Sequence, residues 1–146
     1  MKTGIILYCH NEEEKINPYA FTEFLKIEDK YHLCFVNNAS SDETLTLLKK
    51  IQRENPNQVS IVDIKKKNQN IIAIRAGTRY LGNLPEIINI GFLDIELDKA
   101  LTKINLLEEI QKLEIQDIDR DNFGRNFLKR SISGIIKSIL LFIIIK

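Results

Sequence analysis

Apolar residues fall along this chain in short runs of strand length separated by stretches with helical spacing. Residues 4–9 form the first apolar run, closed by the polar cluster 10–15. Asn17 then stands as cap of a helix with Pro18 in its first turn and Ala20, Phe21, Phe24 and Leu25 on its apolar face. A second strand is expected over 33–36. Ser40 and Glu43 have the spacing of a capping box, opening a helix that buries Leu45, Leu48 and Ile51 and stops at Pro56. Residues 59–64 alternate apolar and polar as a third strand, ended by Lys65, Lys66 and Lys67. Ile71, Ile74 and Thr78 place a helix over about 70–81, and Gly82, Asn83 and Pro85 break the chain before a fourth strand at 88–93. A final amphipathic helix is expected over 101–113.

Four strands joined by helices imply an α/β fold, with a mostly parallel sheet, right-handed crossovers and helices on both faces. There is no internal repeat and no low-complexity linker. With 146 residues and 44% apolar content, the chain has room for one core. Its net charge of +1 supplies no field to steer nucleic acid, so a small-molecule ligand is expected. Cys9 and Cys34 sit within strand-like runs and lack the spacing of a zinc or redox motif, so they read as buried, reduced and structural. The apolar run after Lys2 turns polar at Asn11, too short for a signal peptide, and a cytoplasmic location is expected.

Candidate chemistry lies at the strand ends. In a parallel α/β sheet, ligands bind outside the carboxyl ends of the strands. The first strand here runs into His10, Asn11 and Glu12, the second into Asn37 and Asn38, the third carries Asp63, and the fourth runs into Asp94 and Glu96. Alternate residues of an extended segment share a face, so Asp94 and Glu96 would offer two hard oxygen ligands for Mg2+ or Mn2+ against a diphosphate. Solvated turns and caps account for polar strand ends equally well.

Taken in order, Gly4-Ile5-Ile6-Leu7-Tyr8-Cys9-His10-Asn11-Glu12, Phe35-Val36-Asn37-Asn38-Ala39-Ser40-Ser41-Asp42-Glu43-Thr44, Arg75-Ala76-Gly77 and Gly91-Phe92-Leu93-Asp94-Ile95-Glu96 resemble the nucleotide-binding half of family 2 glycosyltransferases. The flavour is that of the dolichyl- or polyprenyl-phosphate sugar transferases. The resemblance implies a Rossmann-like sheet of the GT-A type that binds a nucleotide diphosphate sugar with a divalent metal, Mg2+ or Mn2+. It implies nucleotide-sugar contacts from Asn11, Glu12, Asn37, Asn38, Arg75 and Asp94, and metal ligation by Asp94 and Glu96. Ser40, Ser41, Asp42 and Thr44 match a segment that shapes the loop after the second strand.

The departures matter too. The family's Asn-Asp-Gly-Ser is Asn37-Asn38-Ala39-Ser40 here, so a carboxylate that would accept a bond from the base is an amide. Tyr8 replaces a proline of the first motif, and His10 stands where a tyrosine often follows the cysteine. Gln69-Asn70 replaces a Gly-Lys, removing a cation able to approach phosphate. Family members continue beyond the point matched by Lys146, through an acceptor site and, in inverting members, a carboxylate base for the acceptor hydroxyl. The resemblance therefore implies a C-terminally truncated core at 1–116, followed by a basic and apolar helical segment at 117–146. In that segment Arg125, Lys129, Arg130 and Lys137 interleave with Phe123, Phe127, Ile132 and Ile136. It is too short and interrupted to span a bilayer, and suits either peripheral membrane contact near a lipid-linked or saccharide acceptor, or self-association. A non-catalytic nucleotide-sugar-binding remnant is the alternative. A phosphoacceptor domain using Asp63 ranks behind both, because it needs an acidic pair where His10 and Asn11 stand.

Overall fold

A computed structural model describes residues 1–94 and 116–117. The expected helix at 101–113, Glu96, and the segment 117–146 apart from Asp117 lie outside the described residues. The elements are β1 (Lys2–Cys9), α1 (Pro18–Ile27), β2 (Tyr31–Asn38), α2 (Thr44–Glu54), β3 (Val59–Ile64), α3 (Asn70–Gly82), β4 (Ile87–Asp94) and the short β5 (Gln116–Asp117). The sheet order is β3-β2-β1-β4-β5. The first four strands are parallel, and β5 is antiparallel to β4 through Asn89 with Asp117 and Ile90 with Gln116.

Both faces of the sheet are covered, which is why β1 reads as an unbroken apolar run. Ile5, Leu7, Leu33 and Phe35 pack with Phe21, Phe24 and Leu25 of α1 and with Leu48 and Ile51 of α2. Ile6, Tyr8, Cys34 and Val36 pack on the other side with Ala73, Ile74 and Leu81 of α3. The edge-on ring pair of Phe21 and Phe35, 5.2 Å between centroids, ties α1 to the sheet. Close approach of α3 depends on Gly77, where a Cβ would lie 2.7 Å from Val36 Cγ2. The glycine of the Arg75-Ala76-Gly77 motif is thus a packing residue.

Asn17 caps α1 as expected, its side-chain oxygen accepting from the Tyr19 amide at 3.1 Å. The capping box expected for α2 does not form. That helix begins at Thr44 with Glu43 at the cap position and no side-chain cap bond, because the Ser40 hydroxyl is already committed to Asn37 and Asn11. Cys9 and Cys34 are both free and buried, and burial pushes the Cys34 thiol up to about 12. No described helix is long and apolar enough to cross a membrane.

Candidate functional site

Strand order places the site. The connection from β1 leads outward to β2 and β3, whereas β4 lies on the opposite side of β1, so the chain's winding reverses between β1 and β4. At such a reversal the loops diverge and leave a crevice outside the carboxyl ends. Asp94 is the last residue of β4 and is in register with Tyr8, one residue before the end of β1.

Three loops meet beside this point, stitched by side chains. The β1–α1 loop turns at Asn11, whose φ of 53° is in the left-handed region that asparagine tolerates. Its carboxamide oxygen accepts from the Ser41 amide at 2.8 Å, and its own amide donates to Ser40 Oγ at 3.1 Å. The Glu12 amide donates to Thr44 Oγ1 at 2.8 Å, and the Glu13 amide to Asp42 Oδ2 at 3.2 Å. In return, the Glu43 amide donates to Glu13 Oε2 at 2.9 Å. Burial opposes charge on Asp42, but bonds from Thr44 and the Glu13 amide outweigh it and hold the carboxyl below its usual range. The Glu12 side chain is buried, with Oε2 3.3 Å from Lys15 Nζ.

The two asparagines ending β2 point to opposite faces of the sheet. Asn37, on the side of α1 and α2, donates to Asp63 Oδ1 at 2.9 Å and accepts from Ser40 Oγ at 2.5 Å. Burial opposes charge on Asp63, and Lys65 together with Asn37 outweighs it, lowering that carboxyl as well. Asn38, on the α3 side, is fully buried. Its Nδ2 donates to Tyr8 Oη at 3.0 Å and to the Asn68 carbonyl at 2.8 Å, while its Oδ1 accepts from the Asn68 amide at 3.0 Å. The Asn38 carbonyl accepts from His10 Nδ1 at 2.7 Å, so Nδ1 carries the ring proton and Nε2 is left to accept from Asn11 Nδ2 at 3.4 Å. After it, Ala39 takes a φ of 52°.

Asn11, Glu12, Asn37 and Asn38 are therefore brought into one network, with the end of β4 beside it. Arg75 stands apart, exposed on α3, and makes no ion pair among the described residues. Among the described residues no three His, Cys, Asp or Glu side chains are arranged so that they could hold a metal ion, and the expected ligand Glu96 lies outside them. Sequence reasoning noted Tyr8 only as the replacement of a proline and passed over Asn68. Nothing local marks either residue, since their role comes from a contact thirty residues away in the chain, between Asn38 and both of them.

No family model matches the chain, and no curated protein matches it. Among solved structures, it is similar to residues 1–349 of TarS from S. aureus, at 20% identity and a TM-score of 0.52, covering 76% of this chain and 32% of that one. The same TarS fragment in complex with UDP-GlcNAc overlaps at 21% identity and a TM-score of 0.47, over 76% of this chain and 30% of the other. The mannosyltransferase PcManGT from Pyrobaculum calidifontis, in complex with GDP-Man and Mn2+, overlaps at 16% identity and a TM-score of 0.46, over 65% and 27%. The last two are too loosely superposed to bear on the fold. The first establishes a Rossmann-like α/β sheet of the GT-A type, and the chain spans about a third of the TarS 1–349 fragment that shares it.

Proposed function

We propose that this chain is the nucleotide-sugar-binding part of a family 2 glycosyltransferase, moving a sugar from a nucleotide diphosphate sugar to a lipid-linked or saccharide acceptor. The observation that carries the reading is the position of Asp94 at the end of β4, in register with Tyr8 where the sheet reverses. The Asn11, Glu12, Asn37 and Asn38 network adjoins it. Asp94 and Glu96 are the residues that would hold Mg2+ or Mn2+, and the bound ion would neutralise the diphosphate as it leaves. Arg75 is an exposed cation on α3, suited to an anionic ligand. We place the protein in the cytoplasm, with 117–146 as its membrane-peripheral or self-associating segment.

A binding remnant without transferase activity is the second reading, favoured by Asn38, whose amide is spent within the protein. Isothermal titration of UDP, GDP and their glucose and mannose conjugates, with and without Mn2+, tests the common core of both. Wild type should bind in a metal-dependent way, and Asp94→Ala should lose that dependence. Metal-independent binding, or none, would refute both. Transfer of labelled sugar to lipid or saccharide acceptors then separates enzyme from remnant.

A further inference from the structure

Asn38 joins more of the site's rim than any motif predicts. Through its side chain it holds both backbone polar groups of Asn68, in the β3–α3 loop, and the Tyr8 hydroxyl. Through its carbonyl it takes the His10 ring of the β1–α1 loop. The next amide, that of Ala39, donates to the Ile64 carbonyl at the end of β3 at 2.9 Å. Both hydrogens of the carboxamide nitrogen are used and its oxygen is occupied, so this buried group has little capacity left for a ligand. We infer that Asn38 is a positioning residue: it clamps the loop 65–69, which carries Lys65, Lys66 and Lys67, against the rim of the nucleotide-sugar site. The inference rests on the proposed function only in naming what the rim receives.

The clamp needs a donor and an acceptor side by side. A carboxylate has the shape of the amide and can accept from the Asn68 amide and from Tyr8. It cannot donate to the Asn68 carbonyl, which would then face a charged oxygen at the distance of a hydrogen bond. A neutral carboxylic acid, with one O–H and one C=O, restores the reciprocal pair with the Asn68 backbone. Asn38→Asp should therefore fail at high pH and recover when the new acid is protonated, a rescue that general loss of packing does not produce. The described titratable groups on the elements around this position are the Tyr8 hydroxyl, the His10 ring, the Asp63 carboxyl that pairs with Lys65, and the lysines of the loop. All are shared with wild type, which serves as the reference at each pH.

The experiment measures amide hydrogen exchange of residues 65–69, as protection factors corrected for intrinsic rates, together with UDP affinity by titration with Mn2+. Wild type and Asn38→Asp are compared at pH 8 and pH 5, and circular dichroism confirms the fold. At pH 8 the variant should lose about tenfold in loop protection and about tenfold in UDP affinity, and both should return toward wild type at pH 5. Tyr8→Phe, which leaves the Asn68 pair intact, should lose less protection than Asn38→Asp. Unchanged loop protection at pH 8, or loss without recovery at pH 5, overturns the clamp. Protection that responds while UDP affinity does not overturns its service to the site. Failure of wild type to bind UDP, GDP or their sugar conjugates would instead sink the sugar-nucleotide reading, and the exchange data would still decide the clamp.

Discussion

Replacing Gly77 by alanine sets two effects of known size against each other. Alanine in a helix interior is favoured over glycine by about 1 kcal/mol. The added Cβ, however, would lie 2.7 Å from Val36 Cγ2 and 3.2 Å from Ile6 Cγ2. The first distance is about 0.8 Å short of a normal carbon contact of ~3.5 Å. Val36 and Ile6 are both fully buried in the sheet's centre, so neither can swing into solvent. Relief requires α3 to lift from the sheet, and overpacking of that kind costs roughly 1–3 kcal/mol. Against the propensity gain, the expected net loss is about 1 kcal/mol, which lowers the melting temperature by roughly 4 °C in a chain of this size. Urea unfolding measures it directly, and the double variant Gly77→Ala, Val36→Ala supplies a mutant cycle. Removing the Val36 methyls should make the alanine far less costly, giving a coupling of at least about 0.5 kcal/mol. A Gly77→Ala protein as stable as wild type, or a cycle without coupling, would refute the close-contact argument.

Two further expectations concern strain and protonation. Ala39 holds a φ of 52° where the family resemblance has glycine, so Ala39→Gly should relieve about 1 kcal/mol of left-handed strain. The more flexible unfolded chain returns roughly 0.4–1 kcal/mol of that, leaving a small gain in urea unfolding; a loss above 0.5 kcal/mol, on the order of experimental error doubled, would contradict it. His32 is buried with Nε2 2.8 Å from Ser60 Oγ, and its Nδ1 has no partner among the described residues. Burial depresses its pKa, with Glu86 opposing and Lys2 adding to the effect. The unfolded state then takes up the proton first, so stability is complete above the unfolded value near ~6.5 and declines as pH falls below it, by at most about 1.4 kcal/mol per pH unit. Urea titrations at pH 7 and pH 5 should show this decline in wild type and a shallower one in His32→Gln; equal slopes would exclude His32 as its source.

Much of the architecture was readable because burial on two faces leaves a continuous apolar signature. Val59–Ile64 agrees to the residue, since Gln58 and the lysine run bracket it cleanly. The other strands run longer than their apolar cores. Lys2, Thr3, Tyr31 and His32 join the ladder at one end, and Asn37 and Asn38 join it at the other, because backbone pairing does not require an apolar side chain. The strand β5 has only two residues and carries no periodicity at all. At the site, the gathering of Asn11, Glu12, Asn37 and Asn38 followed from polar residues at adjacent strand ends. What each side chain does there did not follow, because Ser40 could cap a helix or bridge two loops, and only the packed topology decides between them. The dual bond of Asn38 to Asn68 likewise depends on where β3 delivers its loop.

The sheet order also leaves β3 outermost, paired to β2 on one side only within the described sheet. A row of amides and carbonyls left unpaired within the described sheet invites docking by the same strand of another copy. Pro56 just ahead of this strand and three exposed lysines just behind it serve as gatekeepers, since like charges stacked at strand spacing repel. Basic character there thus guards solubility, and neutralising it by acetylation or heavy salt would favour edge-to-edge oligomers.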